Sequence, residues 1–258
     1  MAVIGIFDSG VGGLSVFREI KKLLPCASYV YYGDNANCPY GPKGPNFIVK
    51  RSMEIAEYLV SQKNVDVIVV ACNTATSYSL ECLRERYNIP IIGIVPGIKP
   101  AAAATKTGVI GVLATFGTLN APLYNKIRDT WGADVKVIEH IGQGFVELVE
   151  NLEISGINVE TVVEKSIQPL VKGGADKLVL GCTHYPFLKE TIEKVANRIK
   201  PKSTLSIEVY DPAPAIARHL VNVLNEYDIK TDEDCPIVEM IASGNDVVLN
   251  KLYNMFLK

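Results

Sequence analysis

The sequence lacks the features that mark nucleic-acid-binding and membrane proteins. Its 258 residues carry 26 Lys and Arg against 28 Asp and Glu, so the formal net charge is −2. No run of five basic residues occurs, so nothing in the charge pattern favours a nucleic-acid or anionic-membrane partner. The longest apolar stretches, near 65–72 and 89–98, are too short to span a bilayer.

The N-terminus, MAVIGIFD, has neither the basic segment nor the apolar core of a signal peptide. We therefore expect a cytosolic protein whose six cysteines are thiols. Since no Cys-x-x-Cys pair occurs, a zinc ribbon or a thioredoxin-like site is not expected. The default interpretation of a cysteine is a small apolar residue of the core, and we apply it to Cys26, Cys38, Cys82 and Cys235.

Motifs for common cofactors are also missing. The glycines after the first predicted strand, in 7–13 (FDSGVGG), match neither the dinucleotide fingerprint nor the P-loop. They permit a tight turn, with Asp8 or Ser9 either capping a helix or contacting a ligand. No lysine has a convincing pyridoxal-phosphate context, and Cys182-x-His184 lacks further zinc ligands at a typical spacing. We predict no cofactor and no metal.

What the chain does contain is an alternation of short β-rich runs with amphipathic helical segments. The predicted strands are Val3–Phe7, Tyr29–Tyr32, Val67–Ala71, Ile91–Ile94, Val109–Leu113, Val135–Ile138, Lys177–Leu180, Ser206–Val209 and Ile237–Ile241. They are rich in Val and Ile, as in strands buried on both faces. Strand–helix alternation predicts an α/β fold with parallel sheets.

An internal duplication indicates two domains of similar build. The segment 65–74 (VDVIVVACNT) resembles 175–184 (ADKLVLGCTH), and 3–6 resembles 109–112, at nearly the same offset. We place one α/β domain at 1–96 plus 207–258 and the other at 97–206, with crossings near 95–97 and 200–203.

Each copy of the repeat ends a buried strand with a cysteine, Cys72 or Cys182. Polar residues suited to begin a helix follow, Asn73 and Thr74 in one copy, Thr183 and His184 in the other. A helix N-terminus lowers the pKa of a nearby thiol, and ligands bind at the carboxyl ends of strands in open α/β sheets. A single cysteine at the end of a buried strand is more often structural than catalytic. Two cysteines in matched positions of a duplicated unit instead indicate a base and an acid that act on opposite faces of one carbon atom.

Two residues of the second domain suggest a substrate contact. Thr115 and Thr118 follow the predicted strand Val109–Leu113, which corresponds to the first strand of the first domain. Their hydroxyls are suited to donate hydrogen bonds to a carboxylate.

Five segments taken together resemble the glutamate racemase family, in its order and spacing. They are 8–14 (DSGVGGL), 32–34 (YGD), 39–41 (PYG), 71–76 (ACNTAT) and 181–186 (GCTHYP). The resemblance covers essentially the whole chain. It implies two pseudo-symmetric flavodoxin-like domains with the active site between them, and cofactor-independent interconversion of L- and D-glutamate to supply peptidoglycan synthesis.

The resemblance also implies residue roles and a homodimer. Cys72 would take the proton from D-glutamate and Cys182 from L-glutamate, with Asp8 assisting the first and Glu150 and His184 the second. Substrate contacts would come from Asp8, Ser9, Pro39, Tyr40, Gly41, Asn73, Thr74, Thr115, Thr118, Thr183 and His184.

Two stretches depart from the family pattern. Residues 33–38 read GDNANC where the family often has Gly-Asp-Thr-Ala-Arg, and 140–149 lack a common Cys-Pro, so Glu147 competes with Glu150 as the assisting carboxylate. Three alternatives stay open: a racemase for aspartate or another amino acid, a non-catalytic protein that binds an acidic amino acid, and a metal-dependent hydrolase that uses Cys182 and His184.

Overall fold

A computed structural model describes residues 2–202, 206–231 and 236–257. The chain divides into two compact units, the first comprising Met1–Ile94 and Ala213–Lys258 and the second Val95–Pro212. Each unit is built around its own sheet.

The described residues form nine strands. In chain order they are β1 (Val3–Asp8), β2 (Ser28–Gly33), β3 (Val67–Val70), β4 (Ile91–Gly93), β5 (Val109–Ala114), β6 (Lys136–Ile141), β7 (Lys177–Gly181), β8 (Glu208–Tyr210) and β9 (Val238–Ala242). Each predicted strand is found within three residues of its expected bounds, and the largest difference is at the end of β6.

Eleven α-helices occupy the segments between and after the strands in the described part of the chain. They are α1 (Leu14–Leu23), α2 (Pro45–Lys63), α3 (Asn73–Arg86), α4 (Ile98–Ala104), α5 (Phe116–Leu119), α6 (Pro122–Trp131), α7 (Phe145–Glu150), α8 (Ile157–Lys172), α9 (Lys189–Ile199), α10 (Ala213–Glu226) and α11 (Val247–Phe256). Short 3-10 turns cover Asn35–Asn37 and Tyr185–Leu188. The helices pack on the sheets through apolar faces, as α2 does with Ile48, Ile55 and Leu59.

The two sheets repeat one strand order. The first runs β4-β3-β1-β2-β9 and the second β6-β5-β7-β8, and all strand pairs are parallel. Numbered within its unit, each sheet contains the order 2-1-3-4, and β9 adds an edge strand to the first. This is the doubly wound, flavodoxin-like order, so the predicted α/β class and its pseudo-symmetry are confirmed.

The repeat extends to matched hydrogen bonds at the entrance to the third strand. In the first unit the Asp66 N–H donates to the Val3 carbonyl at 2.9 Å, and in the second the Asp176 N–H donates to the Val109 carbonyl at 3.3 Å. Both aspartate side chains also accept backbone N–H groups, from Val3 at 2.7 Å and from Lys106 at 2.8 Å. The strands that precede the two cysteines are thus held in register by the same device.

The strand near residues 206–209 is an exception to the predicted domain limits. We expected residue 207 to begin the return to the first domain, but β8 pairs with β7, Lys177 opposite Glu208, and the second unit extends to Pro212. An ion pair of 3.0 Å between Lys177 Nζ and Glu208 Oε2 joins the two strands. A strand of three residues at the edge of a sheet is too short for its sequence to show which sheet it joins.

The interpretation of the remaining cysteines as core residues is wrong for Cys26 and Cys82, which are exposed, while Cys38 is half-buried. Cys82 lies on the outer face of α3, whereas its neighbours Leu80 and Leu83 face the core. Cys235 lies outside the described residues.

No helix in the described ranges is long and apolar enough to cross a membrane.

The carboxylate of Asp176 generates a prediction about stability. It accepts hydrogen bonds from Thr105, Lys106 and Thr107. Burial alone would raise its pKa, but these bonds hold the pKa below its usual value. We expect Asp176→Ala to lower the free energy of unfolding of the second unit by about 1–3 kcal/mol at pH 7, because the hydrogen bonds of a buried carboxylate are lost.

Because the pKa of Asp176 is lower in the folded than in the unfolded chain, the stabilisation is present above the unfolded pKa and is lost as pH falls through the folded one. Denaturant unfolding at pH 7 and at acidic pH measures it. The single tryptophan, Trp131, lies in the second unit and reports its unfolding. The exposed Asp134→Asn variant is the control. An Asp176→Ala variant as stable as this control at pH 7 would contradict the prediction.

Candidate functional site

In both sheets the strand order reverses beside the first strand, and the two strands that diverge there are β1 with β3 and β5 with β7. In doubly wound sheets this reversal opens a crevice at the carboxyl ends of the strands. Asp8 ends β1 and Cys72 follows β3 by two positions. Thr115 and Cys182 directly follow β5 and β7.

The first unit makes the Cys72 sulfur the cap of a helix. Cys72 is the N-cap residue of α3, and its Sγ accepts the Ala75 N–H at 3.4 Å. Asn73 and Thr74, expected to begin this helix, are its first two residues. The thiol donates to Ser9 Oγ at 3.5 Å, and only 4% of Cys72 is exposed. The helix N-terminus and the Ala75 N–H both favour the thiolate.

Asp8 is buried at the end of β1, and its Oδ1 accepts the Gly10 N–H at 2.8 Å. The tight turn that follows needs a glycine at position 13. A Cβ added to Gly13 would lie 2.7 Å from the Cβ of Asp8 and 2.8 Å from the hydroxyl oxygen of Tyr31. The run of glycines in the sequence is therefore a packing requirement that brings α1 up to Asp8.

Asn73 is the one polar side chain near Cys72 whose amide is left unsatisfied. Both its Oδ1 and its Nδ2 are buried and have no hydrogen-bond partner among the described residues. Buried amides are almost always paired, so the orphaned pair indicates a polar ligand group. Thr74, beside it, is also buried.

The turn 39–41 belongs to the same unit. The Tyr40 hydroxyl donates to Asp34 Oδ2 at 2.6 Å, and its ring is buried. Burial, the bond to Asp34 and the nearby charges of Asp34 and Cys72 raise the pKa of Tyr40 far above its usual value. Tyr40 therefore remains a neutral phenol.

The second unit surrounds its cysteine differently. Cys182 is 8% exposed and Thr183 and His184 are buried. His184 Nδ1 lies 3.8 Å from Cys182 Sγ, and His184 Nε2 lies 2.7 Å from Glu150 Oε1. Since a carboxylate only accepts, Nε2 carries the proton and Nδ1 presents a lone pair to the thiol. The arrangement suits His184 to take up the thiol proton.

Glu150, rather than Glu147, contacts this histidine. Glu147 lies on the exposed side of α7, and its charge acts instead on Tyr185. Burial, reinforced by the charges of Cys182 and Glu147, raises the pKa of Tyr185, whose hydroxyl donates to the Gly142 carbonyl at 3.3 Å.

The expected helix start after Cys182 is wrong in detail. Residues 185–188 form a 3-10 turn with Pro186 in its first positions, and α9 begins only at Lys189. Neither Cys182 nor His184 caps a helix through its side chain. His184, which contacts Glu150, is instead the polar side chain that faces the Cys182 sulfur.

Thr115 and Thr118 lie together after β5. Thr115 is the N-cap of α5, its Oγ1 accepts the Thr118 N–H at 3.2 Å, and the two hydroxyl oxygens are 3.1 Å apart. The predicted residues of the first unit thus end or follow β1, β2 and β3 along the chain, and those of the second unit follow β5, β6 and β7. The sequence analysis missed Arg51 on α2, which binds Asp34. One arginine in a long helix carries no signal that would have revealed this contact.

Comparison with known proteins agrees with this fold. The model of the Asp/Glu/Hydantoin racemase family matches residues 4–220. The chain therefore belongs to this racemase family.

Within the family the chain groups with the glutamate racemases. The glutamate racemase of Herpetosiphon aurantiacus is 40% identical over 250 residues, 96% of this chain and 95% of that protein. The solved glutamate racemase isoform RacE1 of Bacillus anthracis superimposes with a TM-score of 0.88 at 35% identity, covering 99% of this chain and 94% of that one. Escherichia coli glutamate racemase, solved with L-glutamate and the activator UDP-MurNAc-Ala, gives 0.85 at 33% identity, covering 99% and 95%.

The His184–Glu150 contact predicts the reactivity of Cys182. In Glu150→Gln the amide can donate to Nε2, which moves the histidine proton to Nδ1 and removes the acceptor that faces the thiol. We expect alkylation of Cys182 by iodoacetamide to slow by about ten- to a hundredfold, measured by mass spectrometry of the Cys182 peptide. Glu147→Gln is the matched control and should react at the wild-type rate. Equal slowing in both variants would contradict the assignment of Glu150.

Proposed function

We propose that this protein interconverts L-glutamate and D-glutamate without a cofactor, moving the α-proton between Cys72 and Cys182. The observation that carries the proposal is the matched pair of thiols. Each sheet has a cysteine after its third strand, and each cysteine has a group that favours its thiolate: the α3 N-terminus for Cys72 and His184 for Cys182.

The reaction needs one base and one acid on opposite faces of the α-carbon. A thiolate takes the α-hydrogen as a proton, so an S–H bond forms while the C–H electron pair stays on the substrate as a carbanion. A thiol on the other face then gives its proton to that carbon, which inverts its configuration. A thiolate is a usable base and a thiol a usable acid for such proton transfers.

The two directions use the two cysteines in turn. Cys72 takes the proton from D-glutamate and Cys182 takes it from L-glutamate. Asp8 assists on the Cys72 side, while His184, oriented by Glu150, assists on the Cys182 side. The His184 Nδ1 at 3.8 Å and the Glu150 carboxylate at 2.7 Å support the second assignment.

Glutamate is the substrate best supported. The relative from Herpetosiphon aurantiacus carries the name glutamate racemase, and the Escherichia coli enzyme was solved with L-glutamate bound. In this chain the orphaned amide of Asn73 is suited to the α-amino or α-carboxylate group. The remaining proposed contacts are Ser9, Pro39, Tyr40, Gly41, Thr74, Thr115, Thr118 and Thr183.

The physiological setting is part of the same proposal. The protein would act in the cytosol as a homodimer and supply D-glutamate for peptidoglycan. Rescue of a bacterial strain that needs external D-glutamate tests the supply role, and sedimentation tests the dimer.

The central test uses the wild-type protein in deuterated water, without added cofactor and with a chelator present. We expect L-glutamate to racemise and to gain deuterium at the α-carbon. Binding without exchange would instead indicate a binding protein. Activity on aspartate but not on glutamate would indicate a different racemase, and loss of activity with the chelator would indicate a metal-dependent enzyme.

Variants that lack one cysteine test which cysteine takes the proton from which enantiomer. Cys72→Ala retains the base for L-glutamate and lacks its partner, so it should exchange the α-hydrogen of L-glutamate for deuterium without inversion and leave D-glutamate untouched. Cys182→Ala should show the reverse. We expect racemisation to fall by at least about a thousandfold in both. Full racemisation by either variant would overturn the two-cysteine scheme.

A further inference from the structure

The carboxylate of Asp34 is the most heavily bonded buried charge of the first unit that the proposed reaction does not use. Its side chain is fully buried. Arg51 donates to it through Nε at 2.8 Å and Nη2 at 2.7 Å, Tyr40 through its hydroxyl at 2.6 Å, and Asn37 through Nδ2 at 3.2 Å. Paired donation from an arginine is the strongest arrangement that a buried carboxylate can have.

This cluster is attached directly to the strand end that carries Asp8. The Asp34 N–H donates to the Asp8 carbonyl at 2.9 Å. On its other side the cluster ends at the Tyr40 hydroxyl, and Asp8 ends β1, which pairs with β3, the strand that leads to Cys72. Asp34 therefore connects the turn 39–41 with the surroundings of Cys72.

A second set of contacts fixes the turn that follows Asp34. The Asn35 side chain donates to the Asn245 carbonyl and accepts the Gly244 N–H at 2.9 Å, and the Ala36 N–H donates to Ser243 Oγ at 3.1 Å. The loop after β9 thus holds residues 35–36. Asn35 and Asn37 lie in 33–38, one of the two stretches that depart from the glutamate racemase pattern; Asn37 bonds to Asp34, and Asn35 bonds to the loop after β9.

We propose that Asp34, held by Arg51, is a positioning residue that fixes the Tyr40 ring and the adjoining Gly41 for glutamate binding beside Cys72. This inference rests on the proposed function and deepens it. The Tyr40 hydroxyl has one proton, which Asp34 accepts, so rotation of the ring would leave a buried carboxylate one donor short. The bond therefore gives Tyr40 a single orientation before substrate arrives.

A group that acts by presenting a binding turn stabilises the bound substrate and the transition state alike. Its loss raises KM and leaves kcat nearly unchanged. Loss of a catalytic group lowers kcat, and general destabilisation lowers the amount of active protein without changing KM. The division between KM and kcat therefore separates positioning from the other roles.

The experiment compares Tyr40→Phe, Asp34→Asn and the double variant. We expect each single variant to raise KM for D- and L-glutamate about tenfold, the effect of one hydrogen bond to a charged group, with kcat within about twofold. Since Tyr40→Phe removes the bond that Asp34→Asn weakens, the double variant should raise KM no more than the larger single effect. Unchanged KM in Tyr40→Phe, or single effects that multiply in the double variant, would overturn the proposal.

The second unit offers a matched control. The Tyr124 hydroxyl donates to Glu139 Oε1 at 2.7 Å, and Arg128 Nη1 donates to the same oxygen at 3.2 Å. Tyr124→Phe removes a tyrosine–carboxylate bond from a cluster that, like the one at Asp34, also contains an arginine. It should therefore lower thermal stability about as much as Tyr40→Phe and leave KM unchanged. A KM increase in Tyr124→Phe equal to that in Tyr40→Phe would show that the effect is not specific to the Asp34–Tyr40 contact and would overturn the proposal.

Calorimetric binding of D-glutamate to the same proteins distinguishes the positioning role from the proposed catalysis. A wild-type protein that binds D-glutamate but does not racemise it would refute the catalysis, while the tenfold weaker binding expected of Tyr40→Phe would still support the positioning role. Equal affinity in the wild type and Tyr40→Phe would refute the positioning role whether or not the wild type racemises glutamate.

Discussion

Parallel pairing of a first strand with a third strand is the constraint on which the rest of the structure depends. It places the first two residues after β3, and the first residue after β7, close to the ends of β1 and β5. The approach of the strands is close in the second unit, since a Cβ on Gly181 would lie 2.8 Å from the Cβ of Ala114. A cysteine at either position is therefore buried and yet lies at the edge where an α/β sheet binds ligands.

The two units support their thiols by different means. Cys72 lies at the N-terminus of a 14-residue helix and accepts a backbone N–H, so its thiolate is stabilised by fixed dipoles. Cys182 precedes a short 3-10 turn and is paired with His184, whose tautomer is set by Glu150. In the proposed reaction either thiol must act as base in one direction and as acid in the other. Two differently stabilised thiols are compatible with this, because the enantiomers have equal free energies in achiral solution and kcat/KM must then be equal in both directions.

Sequence patterns predicted the framework well for a physical reason. Strands buried on both faces must be continuous runs of apolar residues, and a duplicated unit repeats its patterns at one offset. Both signals are local or periodic, so the nine strands could be predicted, together with the location of Cys72 and Cys182 at two strand ends. The sheet to which β8 belongs could not be predicted, because three residues with one buried side chain carry no information about the partner strand.

Contacts between distant side chains were equally hidden. Arg51 meets Asp34 across 17 positions, and Glu150 meets His184 across 34. The choice between Glu147 and Glu150 depended on which face of a six-residue helix turns toward His184. The nature of the α3 cap was also unpredictable: cysteine is not a usual capping residue, and sequence reasoning assigned that role to Asn73 and Thr74.

The most direct measurement of the central claim is a crystal structure of the protein with D-glutamate bound. The account predicts that the sulfur atoms of Cys72 and Cys182 lie on opposite faces of the substrate α-carbon, each within roughly 3–4 Å of it, the separation of reacting atoms poised for transfer. A glutamate that contacts only one sulfur, with the other beyond reach of the α-carbon, would contradict it.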